Sequence, residues 1–206
     1  MSYMKTDKMT AETKAIALFR KAGGMMRTAQ AIKAGVHPVT LYKLRDQGLL
    51  ESLERGFYKL TDQSAGSDPQ LALVSLKYKN SVLCLTSALF IHELTTQIPR
   101  HVCLALPKGT HAPPANGSTQ FIFLTDKQYK AGVEEKNIGG IKFKVYDPEK
   151  TVVDCFKFRN KIGLDLAVDA LKEWKKKRSK HLKKLLEYAR ICRVEKIMAP
   201  YIEVLS

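Results

Sequence analysis

Between Arg27 and Leu60, three glycines and one proline punctuate the chain, RTAQAIKAGVHPVTLYKLRDQGLLESLERGFYKL. Gly35 follows an alanine-rich helix at the C-cap, where glycine adopts a positive φ at little cost. Pro38 opens the next helix, because its missing N–H falls where a helix leaves donors unpaired anyway. Ala29, Ala31 and Ile32 give the first helix a small apolar side. On the second, Leu41, Leu44 and Gly48 share one side, and Val39, Tyr42, Lys43 and Asp46 share the other. Gly48 ends it. Leu49-Leu50, a polar turn at Glu54-Arg55-Gly56 and Phe57-Tyr58-Lys59-Leu60 then predict a two-stranded hairpin. Helix, turn, helix and hairpin in this order predict a winged helix-turn-helix. Two short helices joined by a turn also occur in ordinary helical bundles. The hairpin directly behind them, with a basic tip at Arg55, favours the winged domain.

Upstream, Thr10 or Glu12 starts a helix through Lys21, with Ile16, Leu18 and Phe19 on its apolar side and Gly23-Gly24 ending it. Residues 61–68, TDQSAGSD, form a polar linker or long turn. The expected organisation is therefore α+β: a winged helix-turn-helix over residues 1–66, and an α+β domain with a helical, basic C-terminus over residues 67–206. In the second domain, Asp68-Pro69 predicts a helix to about Tyr78, and Thr86 or Ser87 caps another to His92 or Leu94. Strands are expected at Val82–Leu85, Val102–Leu106, Phe121–Leu124 and Ile141–Tyr146, with a loop over Gly109–Gly117 and a turn over Asn137–Gly140. Asp147-Pro148-Glu149 combines a carboxylate N-cap, proline at the first position and an acid in the first turn, so it starts a helix. Three more helices follow, at about Leu164–Lys177, Lys180–Cys192 and Val194–Val204.

The charge narrows the partners. A chain of 206 residues with a net charge of +15 points to a polyanion, for which nucleic acid is the default. Eight bases against one acid lie between Lys172 and Lys184. No run of about 18 apolar residues is present to span a bilayer, and the N-terminus MSYMKTDKMT lacks the apolar region of a secretory signal. A cytoplasmic protein with no membrane partner is expected. Cys84, Cys103, Cys155 and Cys192 are too far apart for a metal framework and are expected to be reduced.

On the second helix, His37, Thr40, Tyr42 and Lys43 are the candidates for base edges. Arg27 and Thr28, at the N-terminus of the helix before it, are candidates for phosphate, as are Arg45 and Arg55. A solvated helix face is the alternative for all of them. A second nucleic-acid or partner surface is placed on Lys172, Lys175, Lys176, Lys177, Arg178, Lys180, Lys183 and Lys184, with Trp174 and His181 interleaved; it too can be a solvated face. Asp126, Glu134-Glu135 and Asp147–Lys150 could be assembled into a carboxylate–lysine nuclease set, but capping explains Asp147 better, and Glu134-Glu135 fall in a polar turn. No catalytic residue, metal or cofactor is assigned.

These motifs resemble the AbiEi family, the antitoxin and transcriptional-regulator half of abortive-infection (type IV) toxin–antitoxin pairs. The resemblance rests on Ala34-Gly35-Val36, Thr40-Leu41, Gly48-Leu49-Leu50 and Arg55-Gly56-Phe57-Tyr58-Lys59-Leu60. It continues through Ser87-Ala88-Leu89, Leu94-Thr95, Ile98-Pro99, Cys103-Leu104-Ala105-Leu106-Pro107-Lys108-Gly109 and Asp147-Pro148-Glu149-Lys150-Thr151-Val152-Val153-Asp154. It departs at Glu93, where the family is expected to carry glycine. The resemblance implies a repressor that binds operator DNA in its own toxin–antitoxin operon. It also implies an antitoxin against a nucleotidyltransferase toxin that is a functional and not necessarily a physical partner. A DNA-binding regulator without a toxin, and an RNA-binding protein working through the basic C-terminal helices, are the alternatives.

Overall fold

The computed structural model describes residues 10–62, 73–74, 76–111, 117–138, 141–178 and 181–204. The chain separates into two compact units, residues 1–78 with 137–142 and residues 79–136 with 143–206. The fold is α+β, as the sequence predicts.

The first unit runs α1 (Ala11–Lys21), β1 (Met25–Arg27), α2 (Thr28–Lys33), α3 (Pro38–Asp46), β2 (Leu50–Glu54) and β3 (Phe57–Leu60). Its sheet has three strands in the order β1-β3-β2, not the two expected. Gly23 and Gly24, both at φ +81°, turn the chain so that Met25, Met26 and Arg27 pair antiparallel with Lys59, Tyr58 and Phe57. Three residues are too few to show alternation, which is why β1 is silent in the sequence. Ala15, Phe19, Ala31, Leu41, Leu44, Leu50, Tyr58 and Leu60 make the core. Ala29 and Ile32 are exposed, leaving Ala31 as the buried residue of the short α2. The unit continues past residue 66 to Tyr78, and within it Leu73 and Leu76 pack with Leu53 against Met25.

The second unit holds a mixed sheet in the order β6-β5-β4-β8-β7. Its strands are β4 (Val82–Leu83), β5 (Val102–Pro107), β6 (Thr119–Leu124), β7 (Val133–Ile138) and β8 (Ile141–Tyr146). β4 pairs antiparallel with β5 and parallel with β8, and β5 pairs parallel with β6. The helices are α4 (Leu85–Ile91), α5 (Asp126–Lys130), α6 (Pro148–Lys157), α7 (Arg159–Ile162), α8 (Leu164–Lys176), α9 (Leu182–Cys192) and α10 (Glu195–Val204). α4 starts at Leu85 rather than behind a Thr86 or Ser87 cap, because the Ser87 hydroxyl accepts from the Cys103 N–H at 2.9 Å instead. Glu134 and Glu135 lie in β7 and not in a turn, and α5 was not expected. The expected helix start at Pro69, most of the loop at 109–117 and the turn residues 139–140 lie outside the described residues.

α6 organises this unit. Every residue from Glu149 to Phe156 is buried, and α4, α8 and α9 pack around it. A helix buried all round normally reads as apolar, yet this one carries Glu149, Lys150 and Asp154. Each charge has a partner: Lys150 Nζ donates to Asp154 Oδ2 at 2.5 Å and sits 4.1 Å from the Tyr146 ring centroid, while Trp174 Nε1 donates to Glu149 at 3.0 Å. Pairing of this kind offsets the cost of removing such groups from water.

Candidate nucleic-acid interface

α3 is positioned by its two ends. Val36 N–H donates to the Ala31 carbonyl at 2.9 Å through Gly35, which stands at φ +92°, and Val36 is buried behind the turn. His37 is the N-cap: its Nδ1 accepts from the Val39 N–H at 3.3 Å, with Pro38 at the first helical position. An imidazole accepting at Nδ1 keeps its proton on Nε2, so a donor remains. At the far end Gly48, at φ +71°, lets Leu49 N–H reach the Leu44 carbonyl at 2.9 Å. Leu41 and Leu44 fix the inner face, at 1% and 0% exposure.

The outer face is mixed. Val39 is 63% exposed and Tyr42 49%. Thr40 is half-buried, and His37, Lys43 and Arg45 are exposed. Lys43 Nζ pairs with Glu12 of α1 at 2.5 Å. Arg45 donates to Asp46 Oδ1 through Nε at 3.0 Å and Nη2 at 2.8 Å, and lies 5.4 Å from the Tyr42 ring centroid. The hydrogen bond and charge of Asp46 hold the Arg45 guanidinium above its ordinary pKa.

Arg55 is exposed at the tip of the wing, beside Gly56 at φ +80°. The wing is joined to the start of α2 by Thr28 N–H donating to the Gly56 carbonyl at 2.9 Å, and Thr28 is half-buried there. Arg27 is turned inward. It donates to the Lys77 carbonyl at 2.9 Å and covers the Phe57 ring at 4.9 Å. Its Nε is buried without a partner among the described residues. Lys77 in turn pairs with Glu54 at 2.7 Å. Arg27 is thus a brace inside the first unit, and the sequence signal that marked it, a base before a helix, does not separate a brace from a phosphate contact.

The second basic run is largely engaged within its own unit. Lys172 pairs with Asp169 at 3.1 Å, Lys176 with Glu173 at 2.6 Å, Lys177 with Glu93 at 3.4 Å and Lys184 with Asp147 at 3.3 Å. The charge of Asp147 raises the Lys184 pKa. Lys175 also has an interaction, whereas Arg178 and Lys183 are exposed, and Lys180 lies outside the described residues. Trp174 is 5% exposed and bound to Glu149, so its ring is unavailable for stacking on a base. The His181 N–H donates to the same carboxylate oxygen at 3.0 Å.

The carboxylate–lysine set does not converge on an open site. Asp126 is exposed and paired with Lys130 at 2.8 Å, Glu134 and Glu135 are exposed, and Asp147 and Lys150 are buried. Among the described residues no group of three His, Cys, Asp or Glu is placed to hold a metal ion. No helix of the described residues is long and apolar enough to cross a membrane.

Helix, strand, two helices and a wing, in that order and with that pairing, are the arrangement of a winged helix-turn-helix. Residues 14–61 match the family described as transcriptional regulator, AbiEi antitoxin. The matched stretch covers α1 to the end of the wing, so the AbiEi resemblance holds where its motifs are densest. It supports a role as a DNA-binding regulator. The AbiEi family is a regulatory antitoxin family, not an enzyme family. The fold over most of the chain is similar to the crystal structure of the RV2827C protein from Mycobacterium tuberculosis, with a TM-score of 0.58 over 87% of this chain and 71% of that one. At 15% identity this likeness shows the fold alone. No curated protein matches the chain.

Proposed function

We propose that the protein represses transcription by binding a specific duplex DNA site through the first unit. α3 enters the major groove, His37, Thr40, Tyr42 and Lys43 face base edges, and Arg45 with Arg55 at the wing holds phosphate. The observation that carries this reading is the outer face of α3. Leu41 and Leu44 alone anchor the helix to the core, while His37, Val39, Tyr42, Lys43 and Arg45 point to solvent on a segment that matches a family of transcriptional regulators. Thr28 is a phosphate candidate through its place beside the wing tip.

The finer reading follows from the AbiEi resemblance, supported by the match of residues 14–61 to a family of transcriptional regulators and antitoxins. The DNA site is the operator of the chain's own toxin–antitoxin operon, the chain counteracts a nucleotidyltransferase toxin encoded beside it, and both act in the cytoplasm. The first unit forms the DNA-binding part and the second unit the antitoxin part, with the basic run of the second unit as a partner surface. The test has two readouts. A reporter driven by the protein's own upstream DNA should be repressed by the full chain and released by Lys43→Ala. Growth arrest caused by the neighbouring reading frame should be relieved by co-expression of the chain. Repression without relief leaves a DNA-binding regulator that has no toxin partner.

A further inference from the structure

The DNA-reading face of α3 is richer in carbon than its charge suggests. Val39 is the second residue of the helix and 63% exposed, and Tyr42 lies one turn on and is 49% exposed. Residues three apart on a helix are neighbours on one side, so the two make a continuous apolar strip at the end of the helix that reaches bases in this class of domain. Valine is a poorer helix former than alanine, through lost rotamer freedom. A solvent-facing valine therefore gives the helix nothing that alanine would not.

Three polar side chains beside the strip have partners within the protein. His37 Nδ1 holds the Val39 N–H, Lys43 is on Glu12 and Arg45 is on Asp46. Val39 meets DNA with no ion pair to open. In the major groove the one apolar feature a base pair presents is the thymine 5-methyl group. On the reading that α3 binds duplex DNA, we propose that Val39, flanked by Tyr42, is a specificity-determining residue that recognises a thymine methyl in the bound site.

The experiment uses the full chain and a duplex enriched by it from a random-sequence pool. Each thymine of that duplex is replaced in turn by deoxyuridine, which removes the methyl and keeps the hydrogen-bonding pattern. One position per bound site should weaken binding roughly fourfold, the weight of one buried methyl. That loss should vanish in Val39→Ala, which should bind thymine and uracil duplexes equally, and return in Val39→Ile. Because Val39 is exposed, the alanine variant keeps the fold, which circular dichroism checks. Enrichment of a sequence indifferent to every deoxyuridine replacement would overturn this proposal and leave the DNA-binding reading standing. A methyl effect that persists in Val39→Ala would overturn the assignment to Val39. Failure to enrich any sequence would overturn the DNA-binding reading and this one together.

Discussion

Lys43 reaches Glu12 across the first unit, and both side chains are substantially exposed, at 58% and 32%. Ion pairs of that kind are worth about 0–1 kcal/mol, since water screens them and both chains lose freedom. The pair can open for DNA at small cost. Glu12→Gln should therefore lower thermal stability by well under 1 kcal/mol and tighten operator binding a few-fold. Lys43→Ala should cost about 1–3 kcal/mol at the operator and much less on random duplex, by fluorescence anisotropy on both; equal losses on the two would mean that Lys43 does not read bases. A second residue responds to pH. His92 is buried, with Nε2 at 2.6 Å from the Tyr146 carbonyl and Lys136 Nζ at 3.5 Å from Nδ1. Burial, with Lys136 adding to it, lowers its pKa from the ordinary value of 6.5, although the Tyr146 carbonyl pulls the other way. As pH falls below 6.5 the unfolded chain takes up the proton first, so stability is lost from there down to the folded pKa and is constant beyond it. His92→Gln should flatten the fall in melting temperature between about pH 7 and 5 relative to the unmodified chain; an unchanged slope would remove His92 as the cause.

The Asp147 cap shows how far an element can be read from its sequence. Asp-Pro-Glu announces a helix start, and Asp147 Oδ1 does accept from the Lys150 N–H, at 2.7 Å. What spacing does not show is that its other oxygen accepts from Tyr188 at 2.9 Å and Lys184 at 3.3 Å, residues some forty positions away on α9. An N-cap alone is worth about 0.5–2 kcal/mol. A buried carboxylate that also satisfies two long-range donors makes Asp147→Ala cost more, about 3 kcal/mol or above, with Asp147→Asn in between; chemical denaturation checks the order. Gly132 is the same lesson in backbone form. It stands at φ +70°, its carbonyl accepts from the Asp147 N–H at 2.7 Å, and a Cβ there would come within 2.6 Å of Lys150 Cβ. Gly132→Ala should be strongly destabilising, whereas Gly163→Ala, at φ +92° and ψ 139° with nothing within 4 Å, should cost only its backbone strain of about 1–3 kcal/mol. Equal costs would mean that the contact relaxes freely. Long periodic elements such as α1, α6, α8 and α9 are legible because their apolar spacing, caps and breakers agree. β1, α5 and the brace of Arg27 are not, because they are short or settled by partners distant in sequence. The outer face of α3 is legible as a face, yet the engagement of Lys43 and Arg45 with carboxylates depends on folded geometry.

At the scale of the molecule, the open matter is what a net charge of +15 does. The eight bases between Lys172 and Lys184 dominate any sequence plot of charge, and on that basis they read as a second polyanion surface. Folding changes their meaning. Lys172, Lys176, Lys177 and Lys184 each face a carboxylate of the second unit, and Trp174 is enclosed. A base already neutralised in this way releases fewer counterions when DNA arrives. The log–log slope of binding against salt changes by roughly 0.9 per phosphate neutralised on duplex DNA. Replacing Lys175, Lys176, Lys177 and Arg178 together by glutamine should therefore flatten the slope by no more than about one unit, with base preference unchanged. A flattening of about two units or more would show that the ion pairs open and that the run lies along the phosphates. The first unit should contribute to the slope chiefly through Arg55, since Arg45 also faces a carboxylate, Asp46. Replacing Arg55 by glutamine should remove about one unit, at least as much as the quadruple variant. If the four replacements also leave salt dependence alone but abolish relief of growth arrest, the run belongs to the antitoxin role, and charge on this chain serves two different partners.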